Sequence, residues 1–152
     1  DMHVIEKAIE YGKDLLSRPI ELIDGIDKVL HALKLKAKFR LVVATKGDLL
    51  DQERKLKLSG LEHFFHHIEV MSDKQEADYH KLIRHLDIQP HEFLMIGNSL
   101  KSDVLPVIAI GGHAIHIPFH TTWAHEKIDH HIEHPNFRQY EKISDVLGYL
   151  IP

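Results

Sequence analysis

Apolar residues recur along this chain in two rhythms, one belonging to helices and one to buried strands. From Val4 to Leu16 they fall at 4, 5, 8, 9, 15 and 16, a stripe that predicts a helix. Pro19 closes it, because the residue before a proline avoids helical dihedrals. Gly25 opens a second helix with Ile26, Val29, Leu30 and Leu33 on one face. Phe39 to Ala44 is a short run rich in branched residues and predicts a buried strand. Thr45-Lys46-Gly47-Asp48 predicts a turn, and a charged helix runs on to about Ser59-Gly60. His67 to Met71 is a second short strand. Tyr79, Leu82, Ile83 and Leu86 stand at i, i+3, i+4 and i+7 on a helix ending near Asp87.

Pro90 separates that helix from a third strand, Phe93 to Ile96. After the turn Gly97-Asn98-Ser99, a helix carries Val104, Val107 and Ile108 and stops at Gly111-Gly112. Ala114 to Pro118 is a further strand, and Ile143, Val146, Leu147 and Leu150 mark a last helix with Ser144 as a candidate N-cap. Strands alternating with helices at this spacing predict an α/β fold, a parallel sheet with helices on both faces. Ligands bind such sheets at the carboxyl ends of the strands. The turns after Ala44, Met71 and Ile96 are therefore where chemistry is to be sought.

Each of these turns holds a polar candidate. Thr45, with Lys46 and Gly47 before a helix start, offers a hydroxyl and backbone N–H groups to an anion. A threonine there also serves as a plain helix cap. Lys74 follows the strand ending at Met71, where a lysine neutralises a phosphate or holds a carboxylate beside it. A solvated surface lysine fits the same place. Asn98, Ser99 and Asp103 offer oxygen ligands of the kind magnesium prefers. Alternatively, Ser99 or Ser102 caps the helix and Asp103 only favours its positive end.

Composition removes several classes of function. The 152 residues suffice for one domain with a sizeable core. Nineteen basic residues against 23 acidic give a formal charge of −4, which argues against a nucleic-acid or membrane surface. The absence of cysteine excludes disulfides and thiolate metal sites. No run approaches the roughly 20 apolar residues that span a bilayer, and no signal peptide is visible, so a cytoplasmic enzyme is expected. Seven of the 15 histidines cluster late, at 113, 116, 120, 125, 130, 131 and 134. Their irregular spacing is unlike the tight ligand pairs of zinc sites, and a solvated or structural role is expected for them.

Taken together, the three turns resemble the haloacid dehalogenase (HAD) superfamily over nearly the whole chain. The second motif of that family, a strand ending in Ser or Thr, is matched by Leu41-Val42-Val43-Ala44-Thr45, and the third, a lysine before a helix, by Lys74. The fourth, an apolar strand running into Gly-Asp-x-x-x-x-Asp, is matched by Phe93 to Asn98 through Asp103, closing at Gly111. The resemblance implies a doubly wound, Rossmann-like parallel sheet. It implies that Thr45, Lys46 and Lys74 bind phosphate, with Thr45 and Lys74 catalytic, and that Asn98 and Asp103 hold magnesium. The Thr122-Trp123 segment looks like the branch of the family with a small helical cap.

Two departures qualify the match. Asn98 stands where most members carry an acid, so it offers a carbonyl oxygen without charge and leaves Asp103 to do more of the holding. The first motif of the family, Asp-x-Asp, supplies the nucleophile and a general acid and base, and no Asp-x-Asp occurs in this chain. The stripe from Val4 to Leu16 resembles the returning helix of the cap. Residues 1–18 are thus expected to be that helix and 19–152 a core lacking its first strand. In the family that strand lies between those ending at Ala44 and Ile96, and its loss predicts a poorly stable, inactive isolated chain.

The resemblance implies a magnesium-dependent phosphatase of small phosphorylated metabolites, working through an aspartyl-phosphate on a segment absent here. That segment would come from upstream, from another chain or from a homo-oligomeric neighbour. The alternatives are a metal-free 2-haloacid dehalogenase, whose motif is shorter, and a non-catalytic binding module.

Overall fold

A computed structural model describes residues 6–8, 25–118 and 132–152. The strands are β1 (Glu6–Ala8), β2 (Arg40–Lys46), β3 (His67–Met71), β4 (Phe93–Gly97), β5 (His113–His116) and β6 (Phe137–Gln139). Between them run α1 (Ile26–Lys36), α2 (Leu49–Ser59) and α3 (Glu76–Leu86). A π-helical turn, Leu100–Val104, leads into α4 (Leu105–Ala109), and α5 (Val146–Leu150) ends the chain. The strands form one sheet in the order β3-β2-β1-β4-β5-β6, every adjacent pair parallel.

Alternation along the central strands explains the layering. Successive side chains of a strand point to opposite faces. Leu41, Val43, Leu94, Ile96 and Ile115 pack on one face with Ile26, Val29, Leu30 and Leu33 of α1, Leu56 of α2 and Val146 of α5. Val42, Ala44, Phe93, Met95 and Ala114 pack on the other with Tyr79, Leu82, Ile83 and Leu86 of α3 and Val107 of α4. Both faces of β2 and β4 are covered, so Leu41 to Ala44 and Phe93 to Ile96 read as unbroken apolar runs. Full burial of a Leu or Ile side chain contributes about 1.5–3 kcal/mol, which makes the α3 stripe a main anchor of its layer.

The predicted elements hold where apolar periodicity is strong and differ at the margins. β2 runs two residues beyond Ala44, so Thr45 and Lys46 end a strand and do not begin a turn. The strand expected over 114–118 is His113–His116. β6 adds an edge strand that Phe137-Arg138-Gln139 does not announce, being only three residues long. Ser144 sits inside a short 3-10 turn, and the Lys142 N–H is capped by the Asp145 carboxylate at 3.2 Å.

The largest correction is at the amino end. Where the stripe predicts a helix over 4–16, Glu6–Ala8 form a strand, and the rest of the stripe lies outside the described residues. Glu6 and Lys7 pair with Arg40 and Leu41 on one side, and Glu6 to Ala8 with Phe93 to Met95 on the other. The slot expected to be vacant is therefore filled from within this chain. Helix propensities differ by at most about 0.7 kcal/mol between ordinary residues. Pairing with two neighbouring strands that otherwise leave N–H and C=O groups unmatched outweighs so small a preference. The premise for an unstable isolated chain falls with the vacancy, and residues 6–8 belong to the core sheet.

Candidate active site at the strand tips

The carboxyl ends of β2, β3 and β4 bring the sequence candidates into one region. Lys46 pairs in register with Met71, so β2 and β3 end level. Thr45 is buried, and its hydroxyl donates to the Lys46 carbonyl at 3.2 Å. The same carbonyl accepts from the Gln52 side-chain amide at 3.1 Å. Gly47 follows at φ 112°, in the left-handed region, and a Cβ there would stand 3.0 Å from that amide. Only glycine meets both conditions without strain. Asp48 then caps α2 by accepting the Asp51 N–H at 3.0 Å.

Lys74 is not the solvated lysine that one reading of the sequence allowed. Its side chain and that of Asp103 are both 0% exposed, with Nζ 2.9 Å from Oδ1. Lys74 has φ 55°, a left-handed backbone uncommon for a residue with a Cβ. Such a conformation costs on the order of 1–3 kcal/mol and persists only where its surroundings fix it. Here the ion pair, together with the junction between β3 and α3, supplies the constraint. It turns the ammonium inward, beneath the tip of β4.

Asp103 is held from two sides. Oδ1 takes the Lys74 ammonium, Oδ2 accepts the Ser99 N–H at 3.0 Å, and the Asp103 N–H donates to the Ser99 carbonyl at 2.8 Å. The Ser99 hydroxyl accepts the Ser102 N–H at 3.1 Å, as a cap should, while Tyr79 of α3 donates its hydroxyl to the Ser102 carbonyl at 2.7 Å. Single π-turns of this kind recur at functional sites, because they re-aim side chains that an α-helix would direct elsewhere. Gly97 leaves the room this needs. A Cβ on it would lie 2.2 Å from Asp103 Oδ2.

Asn98 is half-buried beside this turn. Its main-chain carbonyl faces His116 Nε2 at 3.0 Å, and His116 Nδ1 lies 2.8 Å from the Gln139 side-chain oxygen. His116 is buried, so a structural role holds for this member of the late cluster. The sequence reading did not single it out as a support of Asn98, a partner 18 residues away. His134 is exposed, and its Nδ1 accepts the Asn136 N–H. His120, His125, His130 and His131, with Thr122-Trp123, lie outside the described residues. Among the described residues no helix is long and apolar enough to cross a membrane.

The sequence model of the haloacid dehalogenase-like hydrolases matches residues 3–111, nearly three quarters of the chain and all three strand-tip motifs. The chain belongs to that family. No curated protein matches it. Among solved structures, a haloacid dehalogenase-like family hydrolase from Xanthomonas campestris is 36% identical over 89% of this chain, with a TM-score of 0.73. An uncharacterized protein from Listeria monocytogenes serotype 4b shares the fold at 17% identity and a TM-score of 0.79, covering 96% of both chains. The HAD-hydrolase YfnB from Bacillus subtilis, solved bound to magnesium, shares the fold at 21% identity over 86% of this chain, with a TM-score of 0.68. This HAD-family chain spans 56% of the Xanthomonas protein and 55% of YfnB.

Proposed function

We propose that this chain carries the phosphate- and metal-binding half of a magnesium-dependent phosphatase acting on small phosphate monoesters. The observation that supports the reading most is the buried Lys74–Asp103 pair, with Thr45 buried at the carboxyl end of β2. A water-poor strand tip with a fixed ammonium and a hydroxyl favours a tetrahedral dianion and the charge it gains during transfer. Lys74 neutralises phosphoryl oxygen, the Thr45 hydroxyl swings from the Lys46 carbonyl to donate to it, and Lys46 adds positive charge at the rim.

The donor set fits magnesium in part. Asn98 offers a neutral oxygen, and Asp103 brings a carboxylate whose charge is shared with Lys74 and the Ser99 N–H. Magnesium commonly completes its shell with water and substrate phosphate, so Asn98 and Asp103 would hold it together with those oxygens and a further carboxylate. When bound, it supplies charge neutralisation at the phosphoryl oxygens. The attacking carboxylate belongs to an Asp-x-Asp that is not among these 152 residues; it comes from a segment outside them or from a second chain. The motif from Asn98 to Asp103 has the longer spacing of the phosphatase branch, which favours this reading over a dehalogenase.

The test is hydrolysis of a generic aryl phosphate by the full-length gene product, with magnesium and after chelation. Turnover that stops on chelation and returns with magnesium is expected. Activity surviving full chelation, or confined to 2-haloacids, overturns the proposal.

A further inference from the structure

At the other end of the edge strand, three side chains converge that the phosphatase reading does not use. His67 and Glu69 stand two apart on β3 and so share a face, the one that Met71 continues into the layer beneath α3. His85, in the last turn of α3, reaches the same carboxylate. Glu69 Oε1 is 2.6 Å from His67 Nε2, and Glu69 Oε2 is 3.0 Å from His85 Nδ1. One donor atom from each residue lies within 4.8 Å of the other two. Glu69 is only 7% exposed, while the side chains of His67 and His85 are 40% and 48% exposed.

The chemistry of this cluster is specific. A buried carboxylate is costly unless paired, and here one ring nitrogen from each of His67 and His85 meets it, atoms that are also metal ligands. A divalent cation at the common focus satisfies all three groups at once. Two imidazole nitrogens and one carboxylate oxygen suit zinc and its first-row neighbours, whereas magnesium and calcium favour all-oxygen shells. Three protein ligands on one side and exposed imidazole edges on the other leave the remaining coordination position to water.

We infer that His67, Glu69 and His85 form a binding site for zinc or a similar borderline dication, pinning β3 to the end of α3. It is remote from the strand-tip site. His67 lies four residues, roughly 13 Å, before Met71 along β3, and His85 stands at the end of α3 opposite Lys74. The site therefore acts on the edge of the sheet and takes no part in phosphate chemistry.

Zinc titration of the metal-free protein against a chromophoric chelator tests this, with His67→Ala, His85→Ala and Glu69→Gln compared with His134→Ala as a control in the late histidine cluster. One tight equivalent per chain is expected in wild type and in His134→Ala, weakened at least tenfold in each of the three site variants. Zinc at a hundredfold excess over its Kd should also raise Tm by about 5–10 °C in wild type and not in His85→Ala. His67 and His85 are exposed enough that their replacement leaves the fold in place, which a far-ultraviolet spectrum checks. No tight zinc in wild type overturns the inference. So does equal affinity in His85→Ala and wild type, or a loss in His134→Ala as large as in the site variants.

Discussion

Breaking the Lys74–Asp103 pair should unfold much of what it stabilises before it says anything about catalysis. Both side chains are fully buried and 2.9 Å apart. Lys74→Ala leaves a buried carboxylate whose Oδ1 has lost its ammonium and whose Oδ2 keeps the Ser99 N–H. Removing one partner of a buried pair costs about 3–5 kcal/mol, most of it from the charge left behind. Set against a typical domain stability of about 5–15 kcal/mol, that is a large fraction. At about 2–4 °C per kcal/mol for a chain of this size, Tm should fall by roughly 6–20 °C. The apolar pair Lys74→Met with Asp103→Leu should recover most of the loss, since replacing both charges removes the penalty. It should recover no phosphate binding. Urea denaturation and phosphate titration of the wild type and the two variants separate the two effects. If Lys74→Ala shifts stability by less than about 1 kcal/mol, the lysine is solvated and the geometry of the site is wrong.

Four further outcomes follow from neighbouring contacts. Gly97→Ala drives a methyl against Asp103 and should cost at least about 1–3 kcal/mol by urea denaturation, as overpacking does; a neutral result would mean that the Asp103 carboxylate lies elsewhere. Tyr79→Phe removes the hydroxyl that donates to the Ser102 carbonyl and should cost about 1–3 kcal/mol, and an unchanged denaturation midpoint would argue against that bond. Asn98→Asp adds charge to the metal position and should tighten magnesium by calorimetry, with a weaker or unchanged Kd counting against the assignment. Burial, then the nearby charges of His91, Arg138 and His134, hold the His113 pKa below its ordinary 6.5. The unfolded chain then binds the proton first as pH falls, so stability is full above pH 6.5 and declines below it. His113→Gln should flatten that decline in denaturation midpoints taken from pH 8 to pH 5, and an unaltered slope would remove His113 as its source.

The parts of the fold legible in the sequence are those whose burial leaves a period. β4 reads as an apolar run because both its faces are covered. The stripe of α3 reads at i, i+3, i+4 and i+7 because one face meets the sheet. The π-turn at Leu100–Val104 left no such mark, since it changes hydrogen-bond partners without moving the apolar positions Val104 and Val107. Lys74 could be placed at a strand tip but not judged buried. Its partner is 29 residues away, and one charged residue carries no periodicity. The cluster of His67, Glu69 and His85 escaped for the same reason, with ligands spread over two elements rather than in the tight spacing by which metal sites are recognised.

The slot between β2 and β4 joins the question of the nucleophile to that of stability. A carboxylate that is to attack phosphorus between Thr45 and Asp103 must stand at the carboxyl end of a strand in that slot, because β2 and β4 flank it in parallel on either side. Glu6–Ala8 hold the slot with three residues, against seven in β2 and five in β4. Their pairing reaches Leu41 on one side and Met95 on the other, leaving the last residues of both neighbours without a partner in β1. A strand of five or more residues carrying Asp-x-Asp would match these edges further along and bring more backbone bonds than Glu6–Ala8 do. Such a strand, if supplied, would compete with Glu6–Ala8 for one place. Occupation by Glu6–Ala8 explains how the sheet closes in this chain.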